Sequence, residues 1–314
     1  MPGLYQGRNF VSIHDYTVED MQRIFDLCKM LKLEEQTNQR KPILKDKNLG
    51  MIFEKSSTRT RVSFEIGMNQ MGGKALFLSS NDIHLGRGET IADTARVLSR
   101  YLDGIMARVF SHDTILQLAE NATCPVINGL SDFLHPCQAV ADFFTMFEKR
   151  GFLKGLNLTY IGDSNNVSNS LMMAAAKTGV NITISSPSGY TPNEKIMKWW
   201  KEDAPLTGAV LNIVPDPVKS VEKADFIYTD VWASMGQEDE KEQRIKDFKG
   251  FMVDGLMMCL AQKDAKFLHC LPAYRGQEVS EELLESHADI VFSEAENRLH
   301  AQKGLMVWLN KNKG

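Results

Sequence analysis

Short apolar runs alternate along the chain with longer stretches whose apolar residues recur at helical spacing, a pattern that predicts parallel sheets covered by helices. The first series of runs predicts strands at 49–53, 75–79, 104–109 and 124–128. A second series predicts strands at 157–162, 181–185, 209–213, 225–229, 265–269 and 289–292. Two series imply two sheets, and so an α/β chain of two domains, each a parallel sheet flanked by helices and joined by interdomain helices. Between the series Val140, Phe143, Phe144 and Phe147 fall on one helical face behind Pro136, a residue suited to a first helical turn. A last helix is predicted over 295–309, with Leu299, Leu305, Val307 and Trp308 available for packing. The boundaries are set at 1–134 for the first domain, 135–150 for the connecting helix and 151–294 for the second domain, with 295–314 expected to pack back on the first.

Composition narrows the function classes. With 314 residues and a formal charge of -4, the chain is large enough for two ordinary domains and offers no basic footprint for nucleic acid. Apolar runs such as Leu171 to Ala176 fall far short of the ~20 residues that span a bilayer. Cys28, Cys124, Cys137, Cys259 and Cys270 form an odd set without a CxxC pair, which argues against a disulfide framework or thiolate zinc site and favours a reducing compartment. Met1 to Asp15 has neither an apolar signal-peptide run nor transit-peptide character, so a cytoplasmic location is expected.

The chemistry-bearing residues gather in a few places. After the strand Gly50 to Phe53 come Ser57, Thr58, Arg59, Thr60 and Arg61, then Phe64, Gly67, Met68 and Met71 at helical spacing. A strand, a polar turn and a helix start present backbone N–H groups and the positive end of a helix dipole, and the hydroxyls and guanidinium groups add charge-assisted bonds suited to phosphate. A single Ser or Thr here is more often just a helix cap; three hydroxyls and two arginines within five residues favour an anion site. Neither GxxxxGK[ST] nor GxGxxG occurs at this turn, which points to a small phosphorylated metabolite in preference to a nucleotide. Asp132 to Gln138 places His135 just before a helix and Gln138 one turn on, although a lone histidine at a helix start is more often a cap or a surface residue.

Ser57-Thr58-Arg59-Thr60-Arg61 and His135-Pro136-Cys137-Gln138 resemble the STRTR and HPxQ signatures of the aspartate and ornithine carbamoyltransferase family, in the expected order and with later matches through Arg298. Asp230 to Gln237 resembles the SMG loop of the ornithine branch, and His269-Cys270-Leu271-Pro272 resembles its HCLP element, where the aspartate branch is similar to HPLP. The resemblance implies a first domain for carbamoyl phosphate and a second for ornithine, with citrulline and phosphate as products. It implies that Ser57, Thr58, Arg59 and Thr60 cradle the phosphate, and that Arg108, His135 and Thr60 surround the carbamoyl oxygen. Gln138, the carbonyls of Cys270 and Leu271, and Arg298 would orient the carbamoyl nitrogen, while Asn166, Asp230, Ser234 and Met235 would hold ornithine. A cis Leu271–Pro272 bond, and a homotrimer in which His84 reaches a neighbour's phosphate site, follow from the same resemblance. Taken without it, Asp230 is a turn aspartate, Asn166 a cap, Cys270 a small buried hydrophobe and His84 a surface-loop histidine.

Carbamoyl phosphate carries a good leaving group, so direct attack by the δ-amine is expected, with no covalent enzyme intermediate, metal or organic cofactor. Donors preorganised around the carbamoyl oxygen would stabilise the tetrahedral transition state, and loop closure would exclude water. Two other readings are a carbamoyltransferase for another amine such as putrescine, which would leave Asn166 and Asp230 without partners, and a non-catalytic phosphometabolite-binding regulator on the same fold. Asp254 stands where many relatives carry asparagine, and Tyr274 where histidine is frequent.

Overall fold

The computed structural model describes residues 9–79, 83, 88–233 and 238–311. Contacts divide the chain into two compact units, Met1–Ala141 with Arg298–Gly314, and Asp142–Asn297. The chain passes between them twice, each time inside a helix, so the divisions fall within the predicted connecting helix and within the last helix.

The first unit runs through α1 (Val18–Gln36), β1 (Asn48–Phe53), α2 (Thr58–Gln70), β2 (Lys74–Ser79), α3 (Ile91–Tyr101), β3 (Gly104–Arg108), α4 (His112–Asn121), β4 (Val126–Leu130) and the start of α5 (Pro136–Arg150). Its four strands are parallel in the order β2-β1-β3-β4. Ile52, Ile105, Ala107 and Val126 of the sheet pack with Ile115 and Leu118 of α4 in one apolar cluster. The starts of α1 to α4 carry the caps their sequence offers: Thr17 and Asp20 form a reciprocal capping box on α1, and Ser57, Thr90 and Ser111 cap α2, α3 and α4. Such a cap is worth ~1 kcal/mol.

The second unit continues from α5 through β5 (Asn157–Ile161), α6 (Asn166–Thr178), β6 (Asn181–Ser185), α7 (Glu194–Asp203), β7 (Leu211–Ile213), α8 (Pro217–Ser220), β8 (Phe226–Thr229), α9 (Lys241–Asp247), α10 (Gly255–Cys259), β9 (Lys266–Leu268), α11 (Glu281–Ser286) and the start of α12 (Ala288–Lys311). Its five parallel strands lie in the order β7-β6-β5-β8-β9. Ile161, Ile227 and Phe267 form its core with Phe248, Val253, Leu283, Leu284 and Val291. The α/β class with two helix-flanked parallel sheets is therefore what the alternating pattern predicts.

Most strand bounds shift by at most a single residue, and three predicted strands depart further from the sequence reading. The strand expected at 124–128 is Val126–Leu130, and that expected at 209–213 is only Leu211–Ile213. The strand expected at 289–292 does not exist: those residues begin α12, which is longer than the predicted 295–309 helix. Ile290, Val291, Glu294, Asn297 and Arg298 are all buried while Phe292 is 61% exposed. That spacing of i, i+1, i+4, i+7 and i+8 is helical, and a strand would have alternated.

Candidate active site

In the first sheet the chain leaves β1 toward β2 on one side and takes up β3 on the other. Ligands of open α/β sheets bind at such a reversal, beyond the carboxyl ends of the strands. The residues there are the β1–α2 turn and Arg108, the last residue of β3. Arg108 pairs with Phe53, and its carbonyl accepts from the Glu54 N–H at 3.0 Å, so turn and arginine are fixed to each other. The register between β3 and β4 slips after Ala107, so that Arg108 pairs with Leu130 and Gly129 is skipped. Gly129 permits this approach, since a Cβ there would lie 2.5 Å from the Met106 sulfur and 3.1 Å from the Ala107 carbonyl. The irregularity re-aims the side chain at the strand end.

Ser57 caps α2, its hydroxyl accepting from the Thr60 N–H at 3.4 Å, which leaves Thr58 and Arg59 on the first, positively polarised turn. Thr60 is buried, and its hydroxyl oxygen accepts from Arg298 Nη2 at 3.1 Å. The other arm of the same guanidinium, Nη1, donates to Gln138 Oε1 at 2.5 Å. Arg298 thus joins the start of α2 to the start of α5, a fork that lysine cannot reproduce. His135, buried just before Pro136, has a pKa well below the ordinary imidazole value, first through burial and then through the positive charges of Arg298, Arg108 and Arg59. It is a neutral imidazole at pH 7. Ser57, Thr58, Arg59, Thr60, Arg108, His135, Gln138 and Arg298 thus all belong to the first unit, at or beside one polarised helix start.

The second sheet reverses between β5 and β8, and the same rule selects their exits together with that of β9. At the β5 exit Asn165, not Asn166, caps α6: its Oδ1 accepts from the N–H groups of Val167 and Ser168 at 2.9 and 3.3 Å. Asn166, the first helical residue, is buried and is not the cap that the ordinary reading made it. The Asn165 Nδ2 donates to Asp230 Oδ2 at 3.0 Å, and the Cys270 thiol donates to Asp230 Oδ1 at 3.2 Å. The buried Asp230 carboxylate is thereby held from both sides at the end of β8. Part of Cys270 reaches the surface, yet burial and the negative charge of Asp230 push its thiol pKa well up. That shift favours the protonated thiol, the form that donates to Asp230.

Leu271 sits at φ +56°, in the left-handed region, and the Leu271–Pro272 bond is cis, as the resemblance implies. The Leu271 N–H donates to His269 Nδ1 at 2.9 Å, which places the imidazole proton on Nε2, 3.2 Å from Glu278 Oε1. That same carboxylate oxygen accepts from the Tyr274 N–H at 2.6 Å, and neither His269 nor Glu278 is exposed. Ser234, Met235 and His84 lie outside the described residues. Asp254 is an N-cap, accepting from the Met257 N–H at 2.9 Å, and Tyr274 is half exposed with the Lys241 ammonium 5.0 Å from its ring centre.

Asn165 and Glu278 were not singled out from the sequence, and His269 entered only as the first residue of the HCLP run without a role of its own. The doubled asparagine at the start of α6 was the available signal for the first, since one side chain caps and the other is released from capping. Among the described residues, no group of three or more His, Cys, Asp or Glu is arranged to hold a metal ion, and no helix is long and apolar enough to cross a membrane.

Known proteins match over nearly the whole chain. Residues 8–148 match the family "Aspartate/ornithine carbamoyltransferase, carbamoyl-P binding domain", and residues 154–309 match "Aspartate/ornithine carbamoyltransferase, Asp/Orn binding domain". The ornithine carbamoyltransferase of Pyrococcus abyssi is 51% identical over 304 residues, which is 97% of this chain and 96% of that protein. The solved structure of the ornithine carbamoyltransferase from Pyrococcus furiosus superposes with a TM-score of 0.92 at 51% identity, covering 96% of each chain. That of the anabolic enzyme from Campylobacter jejuni gives 0.92 at 43% identity, over 97% of this chain and 99% of the other.

Proposed function

This chain belongs to the aspartate/ornithine carbamoyltransferase family, and we propose from that premise that it is an ornithine carbamoyltransferase, forming citrulline and phosphate from carbamoyl phosphate and L-ornithine. The observation that carries the reading is the buried Arg298 fork, which bonds Thr60 on the first turn of α2 and Gln138 on the first turn of α5, just after His135, whose pKa burial and the Arg298, Arg108 and Arg59 charges hold well down. A dianionic phosphate matches the cations and the helix end. The carbamoyl oxygen gains negative charge as the amine attacks, and a neutral imidazole donor together with Arg108 and Thr60 stabilises that charge more than it stabilises the substrate.

Ser57, Thr58, Arg59 and Thr60 hold the phosphate. Gln138, Arg298 and the carbonyls of Cys270 and Leu271 orient the carbamoyl group, and Asp230 and Asn166 bind the α-ammonium and α-carboxylate of ornithine, with Ser234 and Met235 completing that set. The δ-amine attacks the carbamoyl carbon directly and phosphate leaves with its bonding electron pair. The raised thiol pKa of Cys270 supports a route without covalent catalysis by that residue. The anabolic name of the Campylobacter jejuni relative favours arginine biosynthesis as the setting. A panel of amines tests the acceptor: citrulline forms with ornithine, while putrescine and aspartate fall behind by about a hundredfold or more in kcat/KM, because unmatched buried polar groups cost several kcal/mol. Comparable kcat/KM for putrescine overturns the assignment.

A homotrimer with shared active sites is part of the same proposal. Val62 and Ile66, exposed one turn apart on α2, support an apolar contact surface on the first unit. Arg59→Ala and His84→Ala proteins refolded together regain roughly a quarter of wild-type sites if His84 serves a neighbour; activity equal to the average of the two mutants refutes sharing. Five cysteines, all free, support a reducing, cytoplasmic location, which cell fractionation tests.

A further inference from the structure

Behind the acceptor residues lies a buried cation with no role in the chemistry above. Arg244, on α9, is 5% exposed. Its Nη1 donates to Asp163 Oδ2 at 2.6 Å and to the Trp232 carbonyl at 2.9 Å, and its Nε donates to Glu240 Oε2 at 2.9 Å. The guanidinium also lies 5.1 Å from the centre of the Tyr190 ring, whose hydroxyl donates to Asp247 Oδ2 at 2.8 Å.

The two inner contacts fall at matched places. Asp163 follows β5, two residues before Asn165, and its carbonyl accepts from the Asn165 N–H at 2.7 Å. Trp232 follows β8, two residues after Asp230, and its indole stacks on Phe248 with centroids 5.5 Å apart. Asn165 and Asp230 are themselves bonded at 3.0 Å. The connections therefore close: Arg244 to Asp163, along the chain to Asn165, across to Asp230, along the chain to Trp232, and back to Arg244. A buried guanidinium is costly unless its donors are used, and here they tie the exits of two neighbouring strands to one another. In an open α/β sheet those two exits define the crevice, so their separation sets where a ligand between them is held.

We propose that Arg244 is a positioning residue for the acceptor amino acid, fixing the separation of the β5 and β8 exits so that Asp230 and Asn166 meet the α-ammonium and α-carboxylate together. The inference rests on the reading of those residues as the ornithine site. Glu240 supplies an internal control, since its side chain is 61% exposed and stands outside the closed ring. Loosening the ring weakens the fit of an acceptor gripped at two points, while the phosphate-holding residues Ser57 to Thr60, all of the first unit, are untouched, so binding of carbamoyl phosphate changes far less.

Steady-state kinetics on the full-length protein tests this with Arg244→Lys, Arg244→Gln, Asp163→Asn and Glu240→Gln. The expected result is that Arg244→Gln and Asp163→Asn raise KM for ornithine at least about tenfold, while KM for carbamoyl phosphate stays within about twofold. Arg244→Lys, which keeps the charge and part of the bonding, falls between wild type and Arg244→Gln, and Glu240→Gln stays within about twofold of wild type. If Arg244→Gln does not fold, Asp163→Asn, which retains an acceptor oxygen, gives the decision alone. Folded variants with unchanged ornithine KM, or with both KM values and kcat disturbed alike, overturn the positioning role. Wild-type protein that fails to saturate with ornithine overturns the acceptor reading and the inference with it, whereas normal wild-type saturation beside unaffected variants overturns the inference alone.

Discussion

Replacing Leu271 with glycine and with alanine reverses the usual ranking of those two residues. At φ +56° a residue with a Cβ carries roughly 1–2 kcal/mol of left-handed backbone cost that glycine does not. Against this, glycine gives up ~0.5–1 kcal/mol relative to alanine through the greater freedom of its unfolded chain. Both substitutions remove the same contacts of a partly buried leucine with the second unit's core, so those losses nearly cancel in the comparison. Glycine is then expected to be more stable than alanine by about 0.5–1 kcal/mol, or ~1–4 °C in melting temperature for a unit of this size. At a position with ordinary φ, alanine would win by a similar margin. Activity is expected to run the other way, because glycine keeps the N–H bond to His269 but loosens the backbone that carries the Cys270 and Leu271 carbonyls. Thermal melts with citrulline assays on the same preparations decide. An alanine variant more stable than the glycine one refutes the left-handed assignment at Leu271, and a glycine variant as active as the alanine one refutes the positioning of its carbonyl.

Two further outcomes concern pH. His135 has its pKa lowered by burial and by the Arg298, Arg108 and Arg59 charges, so below its unfolded value of about 6.5 the unfolded chain binds a proton that the native chain does not. Its contribution to stability is present above that pH and falls by up to ~1.4 kcal/mol per pH unit on acidification; denaturant midpoints at pH 7.5 and 5.5 are expected to show a smaller acid loss in His135→Asn, and equal losses refute this. Glu294 has its pKa raised well above the carboxylate range, by burial and then by Asp142, while accepting from the His269 N–H at 2.9 Å. Its native state holds a proton that the unfolded chain releases above about pH 4.5, so the stabilisation present at low pH is lost as pH rises toward the folded value. Glu294→Gln is expected to gain on wild type between pH 5 and pH 8, and a stability difference independent of pH counts against the protonated form.

Which parts were legible depended on whether local sequence carried the cause. The strands, the helix starting at Pro136 and the cap at Ser57 follow from apolar spacing and side-chain chemistry that act over a few residues, and the hydroxyls and arginines of residues 57–61 suit an anion by composition, whereas the HPxQ and HCLP runs offered site residues only through the family resemblance. The start of α12 failed because its buried face continues from Ile290 and Val291 into Glu294, Asn297 and Arg298. A reading that follows hydrophobicity sees an apolar run ending in polar residues. Only the folded chain supplies the partners that let those groups be buried, such as Gln138 and Thr60 for Arg298 and the His269 N–H for Glu294.

The same division holds for the candidate site. The sequence by itself determined the α/β class and the phosphate-suited turn, because those rest on short-range pattern, and most other residues offered for chemistry came from resemblance to a known family. Tertiary structure decided that Asn165 caps and Asn166 does not, that Asp230 is gripped by an amide and a thiol, and that His135 stays neutral. It also decided that Arg244 joins two strand exits. Each of these depends on groups far apart in the chain, 65 residues between Asn165 and Asp230, 81 between Asp163 and Arg244 and 160 between Gln138 and Arg298. Burial and charge at such contacts are set by which strands become neighbours in the sheet, and no local window of the sequence contains that information.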